Sequence, residues 1–147
     1  MPSSVIDLFC GVGGLTKGLE LAHLNVVAGI DIDESCRFAY EANNNAHFIS
    51  GDVNEIDVQE LIQLYPQGNT RILVGCAPCQ PFSKYTQRYR KKGRKDDKWR
   101  LLYSFSNIVD GIHPTIVSME NVPELSKEKV FRDFVEHLQG NGYFCSW

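Results

Sequence analysis

Five short apolar runs, each closing on a glycine turn, an acidic residue or a Pro-Cys pair before a stretch of helical spacing, constrain this chain more than any other feature. Val5 to Phe9 runs into Cys10-Gly11-Val12-Gly13-Gly14, after which Leu15, Gly18, Leu19 and Ala22 recur at helical spacing. Val26 to Ile30 closes on Asp31, and Ser35 to Ala42 then reads as a helix that Asn43-Asn44-Asn45 breaks. His47 to Ser50 leads into Gly51-Asp52 and a helix over Val58 to Leu64. Pro66, Gly68 and Asn69 mark the turn into a fourth strand, Ile72 to Gly75. Leu101, Phe105, Ile108 and Ile112 share one helical face, and Thr115 to Met119 form a fifth strand that ends on Glu120. Val130, Phe131, Phe134, Val135 and Leu138 line a further helix, Gly140 and Gly142 stop it, and Tyr143 to Trp147 read as the start of a sixth strand.

Strands alternating with helices predict an α/β fold, a mainly parallel sheet with helices on both faces. Ligands of such sheets sit beyond the carboxyl ends of the strands, near the switch point of the strand order. The glycine turn, Asp31, Asp52, the Pro78-Cys79 segment and Glu120 all follow strands, so five strand ends are expected around one crevice.

With 147 residues, 43% of them hydrophobic, the chain suits one domain spanning residues 1–147. No run approaches the roughly 18 apolar residues of a membrane span, and the first residues lack the build of a secretory signal. Cys10, Cys36, Cys76, Cys79 and Cys145 are odd in number and irregularly spaced, which argues against a disulfide framework. The expectation is a cytoplasmic protein, without membrane attachment, whose thiols are free to react.

From Cys76 to Lys98 no clean periodicity survives, and a loop of that length inside a domain is usually functional or mobile. Nine of the fifteen Lys and Arg fall between Lys84 and Arg100 beside two of the eighteen Asp and Glu, so this segment carries +7 and the remainder −10. Tyr85, Tyr89 and Trp99 are interleaved with the charges, as suits a segment touching a phosphate backbone; a solvated linker is the alternative.

Each motif carries an ordinary reading beside the chemical one. Gly11, Gly13 and Gly14 let the backbone turn tightly and approach a ligand at a helix N-terminus, yet Thr16 stands where the dinucleotide fingerprint needs a glycine, and an empty tight turn is the alternative. Asp31, about twenty residues beyond the turn, is placed to accept the hydroxyls of a ribose. Asp52 is placed to accept from an adenine amino group; either residue could instead be a cap or turn former. Cys76 and Cys79 have the spacing of a zinc or redox pair, but no second Cys pair or close Cys-His pair completes a metal site, so no metal is expected. Glu120, at the end of an apolar strand, would have its pKa raised by burial there and so could hold the proton that a donor needs, or it could simply cap the next helix.

The segments Asp7 to Thr16, Gly51-Asp52, Gly75 to Ser83 and Glu120-Asn121-Val122, in this order and at these separations, resemble the cytosine-5 DNA methyltransferase family. The Pro78-Cys79-Gln80 and Glu120-Asn121-Val122 tripeptides are that family's most diagnostic marks, and the resemblance runs through essentially the whole chain. It implies a Rossmann-like S-adenosylmethionine-dependent methyltransferase fold. Phe9 would stack on the adenine, and Gly11, Gly13 and Gly14 would form the turn beside the cofactor. Asp31 would hold the ribose and Asp52 the adenine amino group, with Ile32, Val53, Pro78 and Leu101 lining the same pocket. Ile32 stands where family members often carry an aromatic residue, so a weaker hold on the cofactor is expected.

The activity so implied is transfer of a methyl group from S-adenosylmethionine to carbon 5 of cytosine, leaving S-adenosylhomocysteine. Carbon 5 is too weakly nucleophilic unaided. Cys79 as thiolate would add at carbon 6 and push electron density to carbon 5, while the Glu120 carboxyl, hydrogen-bonded at N3, stabilises the developing charge. The target must be flipped out of duplex DNA. A mobile catalytic loop over residues 80–99 would close on it, with Gln80, Ser83, Lys84, Arg88, Arg90, Lys91, Lys92, Arg94 and Lys95 contacting the DNA.

The family pattern continues beyond Glu-Asn-Val with a Gln-x-Arg-x-Arg segment, a target-recognition region and a closing helix, none of which occurs in this sequence. The chain therefore reads as the catalytic half of a longer bacterial restriction-modification enzyme, expected to be weak or inactive by itself and to need a C-terminal part or a complementing chain. A relative acting on transfer RNA and a non-catalytic complementing subunit are the alternatives.

Overall fold

A computed structural model describes residues 2–78 and 100–147. Its sheet has five strands, β1 (Ser3–Leu8), β2 (Asn25–Asp31), β3 (His47–Ser50), β4 (Thr70–Gly75) and β5 (Ile116–Met119), in the order β3-β2-β1-β4-β5. All four pairings are parallel. The α-helices are α1 (Gly14–Leu21), α2 (Arg37–Asn43), α3 (Val58–Leu64), α4 (Arg100–Ile112) and α5 (Lys129–Gly140). Element types and order follow the sequence reading closely, with a 3-10 turn over Glu34–Cys36 leading into α2.

β1 lies in the middle and is buried from Ser4 to Leu8, which is why it reads as a continuous apolar run rather than an alternating one. Its successive side chains enter two cores. Ile6 and Leu8 join Leu61, Leu73, Phe105, Ile108, Ile112 and Phe134 beneath α3, α4 and α5. Val5 joins Val26, Tyr40, Phe48, Ile72 and Val74 beneath α1 and α2. Fully buried side chains such as Ile6, Phe105 and Ile112 each contribute about 1.5–3 kcal/mol of hydrophobic stabilisation.

Helix starts are set locally. Asp57 caps α3 by accepting from Gln59 N at 2.8 Å, and Asp33 accepts from Ser35 N at 3.0 Å to start the turn before α2. Arg37 then ties α2 to β3, donating to the Phe48 carbonyl at 3.0 Å with its guanidinium 4.9 Å from that ring's centre.

The structure differs from the sequence reading at the end of the chain. Residues 143–147 form no strand. Tyr143 instead donates its hydroxyl to Pro114 O at 2.6 Å, and Trp147 packs edge-on against Phe131 at 5.8 Å. The segment is held by side chains across a groove of about 440 Å3 from β5, so its main chain has no ladder to join. Among the described residues, no helix is long and apolar enough to cross a membrane.

Candidate active site at the strand tips

The parallel registers bring the candidate residues to one end of the sheet. Leu8 pairs with Ile30 and Gly75, Asp31 with Ser50, and Gly75 with Met119, so the chain leaves all five strands at one level. Strand order reverses between β1 and β4, where an open α/β sheet leaves its crevice.

The β1 tip is a strained, pinned turn. Phe9 adopts φ 59, a left-handed conformation that costs an L residue about 1–2 kcal/mol and is retained where function or packing requires it. Gly11 and Gly13 also have positive φ, and Gly11 N donates to Asp31 Oδ2 at 2.8 Å. The other Asp31 oxygen accepts from Asp33 N at 2.9 Å. Asp31 is thus a brace for the turn as well as a half-exposed acceptor. Among the described residues a Cβ built on Gly11 meets nothing within 4 Å, which leaves room beside the turn. At Gly13 a Cβ would lie 2.2 Å from Asn44 Nδ2, so this glycine serves close packing onto α2.

Beneath the turn lies a group the sequence reading missed. Asp7 is fully buried and accepts from Thr16 Oγ1 at 2.7 Å, and that hydroxyl lies 3.1 Å from Tyr40 OH. Thr16, noted in sequence as the residue that breaks the dinucleotide fingerprint, fastens α1 to β1. Burial pushes the Asp7 carboxyl up to about 6, against the lowering effect of the Thr16 hydrogen bonds, and among the described residues its Oδ1 has no hydrogen-bond partner. Burial also raises the Cys10 thiol, helped by the charges of Asp7 and Asp31, so this cysteine is poorly suited to act as a nucleophile.

After β3, Asp52 accepts from Asn54 N at 2.9 Å and from the Asn54 side-chain amide on the same Oδ1. Val53 is buried beside it, while Ile32 is 69% exposed and holds no aromatic lid over the turn. Leu101 is half-buried on the first turn of α4.

The tips of β4 and β5 are fastened to each other. Glu120 N donates to Gly75 O at 3.0 Å and Asn121 Nδ2 to Ala77 O at 2.8 Å. Gly75 is required here, since a Cβ would sit 2.8 Å from Leu8 O and 2.9 Å from Phe105. Pro78 is exposed at the end of this segment. The Glu120 side chain is exposed, which differs from the burial expected of it: β5 pairs with β4 alone among the described residues, so no neighbouring strand flanks the β5 tip on its other side. Cys79, Gln80, Ser83, Lys84, Arg88, Arg90, Lys91, Lys92, Arg94 and Lys95, and with them the proposed loop 80–99, lie outside the described residues. Among the described residues, no three His, Cys, Asp or Glu side chains are grouped to hold a metal ion.

A parallel sheet of this order, with a glycine turn after β1, is a Rossmann-like arrangement, and the fold is that of solved methyltransferases. The family described as C-5 cytosine-specific DNA methylase matches residues 3–147, and the chain belongs to that family. It is 52% identical over 149 aligned residues to the type II methylase M.HgiDII of Herpetosiphon aurantiacus, covering 99% of this chain and 41% of that protein. It is also 34% identical to the type II methyltransferase M.HindV of Haemophilus influenzae, covering 94% of this chain and 43% of that one. The chain thus spans about two fifths of the length of these relatives. In fold it is similar to the S. pombe Dnmt2 methyltransferase, with TM-score 0.72 and 19% identity over 98% of this chain and 42% of that one. It is likewise similar to a putative DNA modification methyltransferase encoded within a prophage of E. coli, with TM-score 0.74 and 24% identity over 94% of this chain and 38% of that one.

Proposed function

We propose that this chain is the cofactor-binding and catalytic part of a DNA cytosine-5 methyltransferase of the bacterial restriction-modification kind, with Cys79 as nucleophile and Glu120 as its acid partner. The observation that carries the reading is the fastening of the β5 tip to the β4 tip. Two hydrogen bonds, from Glu120 N and the Asn121 side chain, hold the Glu120 residue beside the segment that leads through Ala77 and Pro78 into Cys79. A thiolate that follows the β4 tip by a few residues in sequence and a carboxyl at the β5 tip could address two positions of one flipped-out pyrimidine.

The residues present fit an adenosyl ligand. Gly11 leaves open space at the turn, Phe9 is held in a strained conformation beside it, and Asp31 and Asp52 offer carboxylate oxygens at the next two tips. Phe9 would pack against the adenine, Asp31 would accept from the ribose and Asp52 from the adenine amino group, with Val53, Pro78 and Leu101 as apolar lining. When bound, S-adenosylmethionine supplies an electrophilic methyl group. The chain's own work is then to add the Cys79 thiolate at carbon 6, to hold a proton from Glu120 at N3, and to release the thiolate once the carbon 5 proton has been removed. The basic segment from Lys84 to Lys95 would contact phosphates of double-stranded DNA, in the bacterial cytoplasm. Target recognition would come from a further C-terminal part or a complementing chain.

Incubating the full-length protein with S-adenosylmethionine and duplex DNA containing 5-fluorocytosine tests this, because fluorine at carbon 5 cannot leave as a proton and the adduct is trapped. The expected result is a covalent complex mapped to Cys79 and absent in Cys79→Ala. No adduct under conditions where DNA binds would overturn the reading. A parallel arm with 5-fluorocytosine in RNA separates the two nucleic acids.

A further inference from the structure

Asp52 is fixed by two side chains that no motif marks. Asn54 places its main-chain N–H, at 2.9 Å, and its amide N–H on one oxygen of Asp52. The amide's own oxygen accepts from Ser104 Oγ at 2.6 Å, reaching across to α4. Ser104 is buried, at 8% exposure, and its hydroxyl also lies 3.0 Å from Arg100 O; having a single hydrogen, it favours the shorter contact.

This arrangement has one sense. Turning the amide over would set its oxygen against the Asp52 carboxylate, so the charge keeps Nδ2 toward Asp52 and leaves the amide oxygen to accept from the Ser104 hydroxyl. With two donors gathered on Oδ1, the carboxylate plane is held and, among the described residues, Oδ2 takes no hydrogen bond. A held carboxylate whose second oxygen takes no donor among the described residues can accept a single ligand N–H there. A 6-amino purine meets it; a 6-oxo purine brings oxygen against oxygen.

We infer that Asn54 and Ser104 are positioning residues that set the base selectivity of the cofactor pocket by orienting Asp52, a conclusion resting on the adenosyl-binding reading above. They also couple that pocket to the start of α4, the helix that carries Leu101 and follows the basic segment. Reading a single N–H through a charged acceptor is worth roughly tenfold or more in affinity.

The test is a pair of titrations on the full chain, with S-adenosylhomocysteine and with its deaminated analogue S-inosylhomocysteine. The wild type is expected to prefer the amino ligand by about tenfold or more. In Asn54→Ala that preference shrinks to within about threefold while the deaminated ligand binds as before, and Ser104→Ala falls between the two. The unchanged ligand doubles as a folding control. Equal weakening of both ligands in Asn54→Ala, or full retention of the preference, overturns the positioning role. Failure of the wild type to bind or to discriminate overturns the adenosyl reading itself, so the two failures are distinguishable.

Discussion

The side chain of Asn121 donates to the main-chain carbonyl of Ala77 across 2.8 Å while its own oxygen accepts from Val122 N at 2.9 Å. One residue therefore shapes the exit of β5 and holds the exit of β4. Ala77 is buried at 4% exposure, so its carbonyl has little recourse to water if the partner is removed.

Asn121→Ala is expected to lower stability by about 1–3 kcal/mol, the cost of a buried acceptor left unpaired. If Cys79 and Glu120 act on one ring, turnover falls by roughly tenfold or more while KM for DNA changes little, because a misplaced nucleophile costs rate rather than affinity. Steady-state kinetics alongside urea denaturation checks both. A pure rise in KM would count against the positioning of the tip.

Two glycines of the first loop and helix should respond in opposite directions. Gly13, at φ 89 and with a Cβ 2.2 Å from Asn44 Nδ2 and 2.8 Å from the buried Tyr40 ring, tolerates no side chain. Gly13→Ala is expected to cost about 3 kcal/mol or more from strain and overpacking together. Gly18 lies exposed in α1 with nothing among the described residues within 4 Å of a built Cβ, and Gly18→Ala should stabilise by roughly 0.5–1 kcal/mol. Thermal melts of the two variants against wild type decide the point.

Phe9 offers an inverted expectation for glycine. At φ 59, Phe9→Gly should be more stable than Phe9→Ala by about 1 kcal/mol, although glycine is ordinarily the worse replacement. If Phe9 packs against the adenine, both variants bind S-adenosylhomocysteine roughly tenfold more weakly, since both remove the aromatic surface. Calorimetric titration and denaturation together test this; glycine proving less stable than alanine would remove the claim of strain.

Asp7 ties stability to pH. Its carboxyl is raised from 3.8 to about 6, first by burial, so between those values the folded chain holds a proton that the unfolded chain has lost. Stability from this group is therefore greatest below about 4, declines as pH rises through 6, and stays at its lower level above. Asp7→Asn, which keeps an acceptor for Thr16, should be stabilised relative to wild type by on the order of 1–3 kcal/mol at pH 7.5 and by little at pH 4.5. Denaturant melts of the pair at the two pH values give the difference directly. A gap independent of pH would mean that Asp7 is ionised throughout.

What could be read in the sequence and what could not divide along physical lines. Strands buried on both faces, such as Val5 to Leu8, leave unbroken apolar runs, and the residues closing those runs lie at the strand tips; fold class and the position of the crevice follow from that pattern, whereas the roles given to Cys79 and Glu120 rest on the resemblance of their tripeptides to a family. Asn54 and Ser104 were invisible because they are polar, unremarkable and fifty positions apart, and the sheet alone brings them together. Tyr143 to Trp147 misled because β propensity describes fit to a sheet surface, whereas a strand also needs a neighbour's main chain. The burial expected of Glu120 failed for a related reason: an apolar run announces a strand without announcing whether that strand is central or peripheral.

β5 hydrogen-bonds to β4 along one side, and among the described residues no strand lines its other side, where Ile116 is 49% exposed. Such a margin is a template for a further strand. A strand laid along that margin would extend the sheet beyond β5. A lysine in place of Ile116 is the kind of gatekeeper that would oppose such an addition.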